Sequence, residues 1–243
     1  MAAAVTTERW RKAQGAELCF WKEMELYELI KACAEKAEFW SRFDAAEIAD
    51  LLAARDVLEI GCGPLGLSVV SFSDAEPPRK LVKTDPLTRL PVRDTRPALA
   101  RSATRFIDWV EEMAESGDYL QIAGEDLAFD SAFDTVIAYN VLDHVRSPLL
   151  ILENARRALR PGGRLILGVD CLSWLGRLRF EWITRRLARG TILVDAHPHT
   201  FLPRDVIGMI EAAGLKLTAM RGVPRWVGRF AGRHFRPAFV ATK

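Results

Sequence analysis

The sequence predicts a doubly wound α/β fold: a mostly parallel seven-stranded sheet with helices on both faces and an antiparallel last strand. Three observations predict it. From Asp56 onward, short apolar runs rich in β-branched residues alternate with helical stretches, the pattern of a parallel sheet covered on both sides. The first run, residues 57–60, breaks directly into Gly61-Cys62-Gly63-Pro64-Leu65-Gly66, a G-x-G-x-x-G turn. Polar residues then stand at strand ends, Asp85 after the second run and Asn140 to His144 after the fourth, where open α/β sheets bind ligands.

The elements follow in order. Residues 6–43 read as helix, rich in Ala, Glu, Lys and Leu and free of proline, with Leu26, Leu29, Ile30 and Cys33 on one face and a break expected at Gly15. Asp44 with Glu47 forms a capping-box pattern for a second helix over 45–54. Strand one is 57–60, and the stretch 67–72 is expected to be a short helix, closed by Pro77-Pro78. Strand two is 80–84. A turn-rich stretch over 88–99 leads to a helix over 100–115 that ends at Ser116-Gly117. Strand three is 119–123 and strand four 132–140. Ser147-Pro148 opens a helix that runs to Leu159, and Pro161-Gly162-Gly163 turns the chain into strand five, 165–169. A basic amphipathic helix over 173–188 follows, then Asp195-Ala196-His197-Pro198-His199-Thr200-Phe201, a loop rich in ionisable groups. A helix over 203–213, capped by Gly214, leads to strand six, 215–220, and residues 236–242 form the last strand.

Composition limits the function. A chain of 243 residues with 49% hydrophobic residues builds one α/β core with decorations. Net charge is only +2, so the chain as a whole is no polyanion binder, although residues 172–236 carry twelve Lys/Arg against four Asp/Glu. The four cysteines, Cys19, Cys33, Cys62 and Cys171, show neither a disulfide framework nor zinc spacing, so a reducing cytoplasm and no metal are expected. The N-terminus has no secretory apolar stretch, and no uncharged apolar run approaches the ~20 residues of a membrane span.

The glycine turn brings backbone close to a nucleotide-like ligand, and Glu59 helps choose which one. A carboxylate beside the turn repels a pyrophosphate and suits a ligand with an ammonium and a cationic centre, as in S-adenosylmethionine (SAM). Asp85 lies 19 residues after Gly66, placed to accept hydrogen bonds from ribose hydroxyls, and Pro86 offers a flat apolar contact to a base.

Four blocks, in order and at suitable spacing, make the chain resemble the class I SAM-dependent methyltransferases, in particular the broad group that methylates small molecules. They are Leu58-Glu59-Ile60-Gly61-Cys62-Gly63, Asp85-Pro86-Leu87, Gly124-Glu125-Asp126-Leu127 before Phe133-Asp134, and Leu159-Arg160-Pro161-Gly162-Gly163. The resemblance implies a Rossmann-like fold and SAM as cofactor. It implies that Glu59, Gly61, Cys62 and Gly63 hold the methionine part of SAM and that Asp85 takes the ribose. Pro86 and Leu87 would flank adenine, Gly124 and Glu125 would meet its edge, and Asn140 and Val141 would line the methionine end. Two positions depart from the family pattern: Ala123 replaces the acid common before the adenine loop, and Ala128 replaces a proline.

The expected activity is methyl transfer from SAM to an O, N or C acceptor on a small molecule, with nucleic acid disfavoured. Residues 1–54 would form a helical lid or packing segment and 55–243 the SAM-binding domain, with a basic insertion near 172–200. His144, His197 and His199 are the candidate bases, because imidazole titrates near neutral pH; Asp143 is a weaker one. Alternatives are an NAD-dependent oxidoreductase, which the glycine turn and Asp85 fit formally, an RNA-directed methyltransferase drawing on the C-terminal arginines, and a non-catalytic SAM-binding protein.

Overall fold

In a computed structural model, which describes residues 4–95, 101–187, 191–222 and 235–243, the chain folds around one seven-stranded sheet in the order β3-β2-β1-β4-β5-β7-β6. The strands are β1 (Asp56–Ile60), β2 (Lys80–Asp85), β3 (Asp118–Gln121), β4 (Phe133–Tyr139), β5 (Leu159–Gly168), β6 (Lys216–Arg221) and β7 (Ala238–Thr242). β7 runs antiparallel between β5 and β6, as the sequence predicts for the last strand. Strand order reverses between β1 and β4, which pair in parallel, so their carboxyl ends open a crevice at the switch point.

All five residues of β1 are buried, because the sheet is covered on both faces. On one face Leu58, Ile60, Val136 and Leu165 pack with Ile151 and Leu152 of α5 (Pro148–Ala158) and Met209 and Ile210 of α7 (Pro203–Ala212). On the other, Val57, Ile137 and Ile166 meet Phe39 and Trp40 of α2 (Leu26–Trp40) and Leu52 of α3 (Ala45–Leu52). The alternation of neighbouring residues between faces is the two-residue period of a strand. Leu29 and Cys33 of α2 join Leu65 and Leu67 of the glycine turn and Ile107 and Val110 of α4 (Thr104–Glu115) in a third apolar cluster.

Several expectations change in detail. The first helical stretch does not break at Gly15, which lies inside α1 (Thr7–Glu23), where helix tolerates a glycine. The break is at Met24 and Glu25: Met24 leaves the helical conformation and is buried, and the Glu25 N–H donates to the Glu28 carboxylate at 3.0 Å as α2 starts. The stretch after Gly66 forms only a 3₁₀ turn, Val70–Phe72. Strand five is longer than expected because β4 and β5 pair again past an irregularity at Phe133/Thr135, carrying the ladder back to Leu159. The expected basic helix is α6 (Trp174–Arg179), capped by Ser173, then a π-helical turn, Phe180–Thr184, and Arg185–Leu187; Ala188 lies outside the described residues. Ala100, the expected start of α4, and residues 96–99 of the turn-rich stretch also lie outside them. Among the described residues no helix is long and apolar enough to cross a membrane.

Candidate active site at the carboxyl ends of β1 and β4

The glycine turn has the backbone the sequence asks for. Gly61, Gly63 and Gly66 all have positive φ, at 75°, 83° and 71°, which side chains rarely tolerate. Gly61 also lets β1 approach the loop after β4, for a Cβ there would meet Val141. Asn140 holds a positive φ of 57° as the chain leaves β4, an angle more common for Asn than for most side chains.

These elements frame a narrow cleft. Ile60, Gly61, Asp85, Pro86, Gly124, Glu125, Asn140, Val141 and His144 line it from the sheet side, and Trp10, Gln14 and Glu17 of α1 close it from above. Its free volume is about 40 Å³, little more than one water's share and too small for a nucleoside-sized ligand as it stands. α1 is held by Arg9, which donates to the carbonyls of Val194 and Asp195 at 2.8 and 2.6 Å, and by a Lys12–Asp195 ion pair of 3.1 Å.

Asp85 ties the cleft together. One carboxylate oxygen accepts from the Gly63 N–H at 2.9 Å and the other from the Leu87 N–H at 2.9 Å. Burial, reinforced by Glu17, pushes its pKa up to about 7. The Oδ1 atom of Asn140 and the Oε1 atom of Gln14 are buried with no hydrogen-bond partner among the described residues. Unpaired buried acceptors in a cleft fit a ligand that brings N–H or O–H donors.

Other expected residues stand further back. Glu59 is fully buried and does not line the cleft; its carboxylate accepts from the Ser68 hydroxyl and, at 3.0 Å, from the Val69 N–H, so it holds the glycine turn from behind. Cys62, Gly63 and Leu87 are not among the cleft-lining residues, and Cys62 and Leu87 are buried. The Glu125 carboxylate accepts from the N–H groups of Arg146 (2.7 Å) and Ser147 (3.1 Å) just before α5, while Asn154 donates to the carbonyls of Gly124 and Glu125. The Gly124-Glu125 turn is therefore a rigid wall.

Beyond the cleft, Asp143 and His197 line a second cavity of about 170 Å³ together with Asp170, Leu172, Phe180, His199, Thr200 and Phe201. His144 stands in the cleft wall, its Nδ1 paired with the Ala196 carbonyl at 3.0 Å. The Nε2 atoms of His144 and His197 each lie 3.6 Å from Asp143 Oδ2. Burial opposes a charge on His144, but Asp143 and Glu17 outweigh it and hold the imidazole above its usual range. His199 is apart from this trio: its Nε2 meets the Val145 carbonyl at 2.9 Å and its N–H donates to the Asp143 carbonyl at 3.3 Å, which fixes the loop. Trp10, Gln14, Glu17, Leu172 and Phe180 were not legible as site residues, since only docking of their helices brings them there.

The methyltransferase-domain family matches residues 20–220. The chain belongs to the class I SAM-dependent methyltransferases. A ubiquinone biosynthesis O-methyltransferase of Idiomarina loihiensis is 28% identical over 180 residues, 72% of this chain and 67% of that one. One from Ralstonia nicotianae is 26% identical over 202 residues, 79% and 77% of the two chains. In fold, the methyltransferase superposes on a SAM-dependent methyltransferase of Thermotoga maritima with a TM-score of 0.57 at 15% identity, covering 97% of this chain and 99% of that one. A SAM-dependent methyltransferase of Methanosarcina mazei gives a TM-score of 0.54 at 17% identity, covering 81% and 96%. The oxidoreductase alternative gives way to this membership, and SAM is the cofactor of the family.

Proposed function

We propose that this methyltransferase O-methylates a small aromatic alcohol. SAM lies in the cleft under α1, and the acceptor in the cavity between Leu172, Phe180 and Phe201. One observation carries the reading: the Asp143–His144–His197 trio sits where the two spaces meet, His144 in one wall and Asp143 and His197 in the other. The cavity, at about 170 Å³, suits a single ring, with apolar side chains around it and ionisable groups at one end. The relatives named as ubiquinone biosynthesis O-methyltransferases support oxygen as the accepting atom.

Bound SAM supplies an electrophilic methyl on a sulfonium. The chain's part is to orient and to manage a proton. Asp85 accepts from the ribose hydroxyls while the Gly63 and Leu87 amides hold its carboxylate in place. Asn140 and Gln14 present acceptors to an ammonium. Pro86 and the Gly124-Glu125 wall flank the base. The acceptor hydroxyl lies against the trio, which takes its proton as the oxygen gains the methyl. His199 keeps the loop that carries His197 in place. Residues 1–54 act as the lid and support of this arrangement, and 55–243 as the methyl-transfer domain.

The test is incubation of the full chain with methyl-labelled SAM and matched panels of phenols, catechols and aromatic amines, read by mass spectrometry. Label on a ring oxygen is expected. Label on nitrogen alone, with phenols untouched, overturns the reading.

A further inference from the structure

The trio has a feature that proton transfer alone leaves unexplained. Two imidazole nitrogens, the Nε2 atoms of His144 and His197, converge on one carboxylate oxygen, Asp143 Oδ2, and both stand 3.6 Å away, beyond hydrogen-bond range. The three ligand atoms all lie within 4.8 Å of one another. Asp143 is almost wholly buried, and its other oxygen, Oδ1, has no hydrogen-bond partner among the described residues. A buried carboxylate with one oxygen unpaired is costly unless positive charge compensates it, and here His144 and His197 face it.

We infer that Asp143, His144 and His197 bind a divalent transition-metal ion, of which zinc is the representative, at the wall between the cofactor cleft and the second cavity. The spacing suits this. Ligand atoms bonded to zinc at about 2.0–2.2 Å in a tetrahedron stand about 3.3–3.6 Å from one another. Two imidazoles and one carboxylate are a zinc-type donor set, and three protein ligands leave a position open. The outer shell is also in place: the Nδ1–H of His144 donates to the Ala196 carbonyl at 3.0 Å, which leaves Nε2 as the lone-pair nitrogen facing Asp143. The His199 N–H donates to the Asp143 backbone carbonyl and fixes the loop that carries His197. The sequence expectation of no metal rested on cysteine spacing. His197 lies 53 and 54 residues after His144 and Asp143, and only the fold brings them together.

The inference rests on the proposed O-methylation and deepens it: with the cation bound, the trio serves as ligands in place of a base. An acceptor hydroxyl at the open position loses its proton to water more readily, because the cation stabilises the alkoxide or phenoxide. The oxygen lone pair then forms the new C–O bond as the C–S bond of SAM breaks and its electron pair returns to sulfur.

The experiment is a zinc chloride titration of the chelator-treated full chain by calorimetry, with SAM affinity measured on the same samples. One zinc ion per chain is expected. His197→Ala, at a side chain 27% exposed, and Asp143→Asn should each weaken zinc binding at least about tenfold while the thermal melt stays cooperative. Substituted cobalt should give the visible spectrum of a tetrahedral nitrogen–oxygen site in the wild type and lose it in His197→Ala. Absence of stoichiometric zinc binding, or equal affinity in His197→Ala, overturns the site. Failure of phenols to react while zinc still binds one per chain removes the acceptor reading and leaves the metal site standing.

Discussion

Gly61 and Val141 are in contact across the crevice between β1 and β4: a Cβ on Gly61 would lie 2.4 Å from Val141 Cγ2. With φ at 75°, an alanine there carries strain of ~1–2 kcal/mol before the clash is counted. Gly61→Ala should lower the melting temperature and abolish SAM binding, since the two loops that form the cleft are pushed apart. Calorimetric SAM titration beside a thermal melt checks both.

The Glu59 carboxylate acts through the turn behind the cleft. Glu59→Ala leaves the buried Val69 N–H and the Ser68 hydroxyl without their acceptor, at a cost of ~1–3 kcal/mol. Urea denaturation measures that cost. Ser68→Ala, which never touches the cleft, should weaken SAM binding in the same direction; unchanged affinity would point to a direct contact for Glu59 instead.

Asp85 makes SAM binding pH-dependent. Its pKa is raised to about 7 by burial and by Glu17, partly opposed by the Gly63 and Leu87 amides and by His144. In the proposed role the ionised form accepts from ribose hydroxyls, so affinity should rise by about tenfold from pH 6 to pH 8 and level off above. The sign for folding is opposite. A carboxyl whose pKa rises from 3.8 in the unfolded chain to about 7 in the fold favours the fold at low pH, and that contribution is lost as pH rises through 7. Calorimetry across the range, with Asp85→Asn as the flat control, tests the prediction.

α1 gates the cleft. The Arg9 bonds to the carbonyls of Val194 and Asp195 and the Lys12–Asp195 pair hold it over Asp85 and Val141. Arg9→Ala combined with Lys12→Ala should raise the association rate of SAM by about tenfold, because two polar anchors worth ~0.5–1.5 kcal/mol each are gone. Stopped-flow fluorescence of Trp10 and Trp21 would follow the motion.

Phe180 walls the second cavity. Phe180→Leu should lower kcat/KM for single-ring phenols by about tenfold while SAM affinity stays as it was. A parallel loss of SAM affinity would place the acceptor elsewhere.

The sequence by itself determined the sheet, the glycine turn, Asp85 at the end of β2 and Asn140 after β4. Each of these is local: a strand followed by an obligatory turn writes itself into neighbouring residues through period, positive φ and the chemistry of strand ends. It also placed His144 and His197 among the candidates. Only the tertiary structure decided what these residues face. It buried Glu59 and Cys62, gave the Glu125 carboxylate the amides before α5, set α1 over the opening, paired His199 with the Val145 carbonyl and brought His197 to Asp143. Those outcomes depend on how helices and distant loops dock on the sheet, an interaction between surfaces far apart in the chain. No spacing within one segment encodes it.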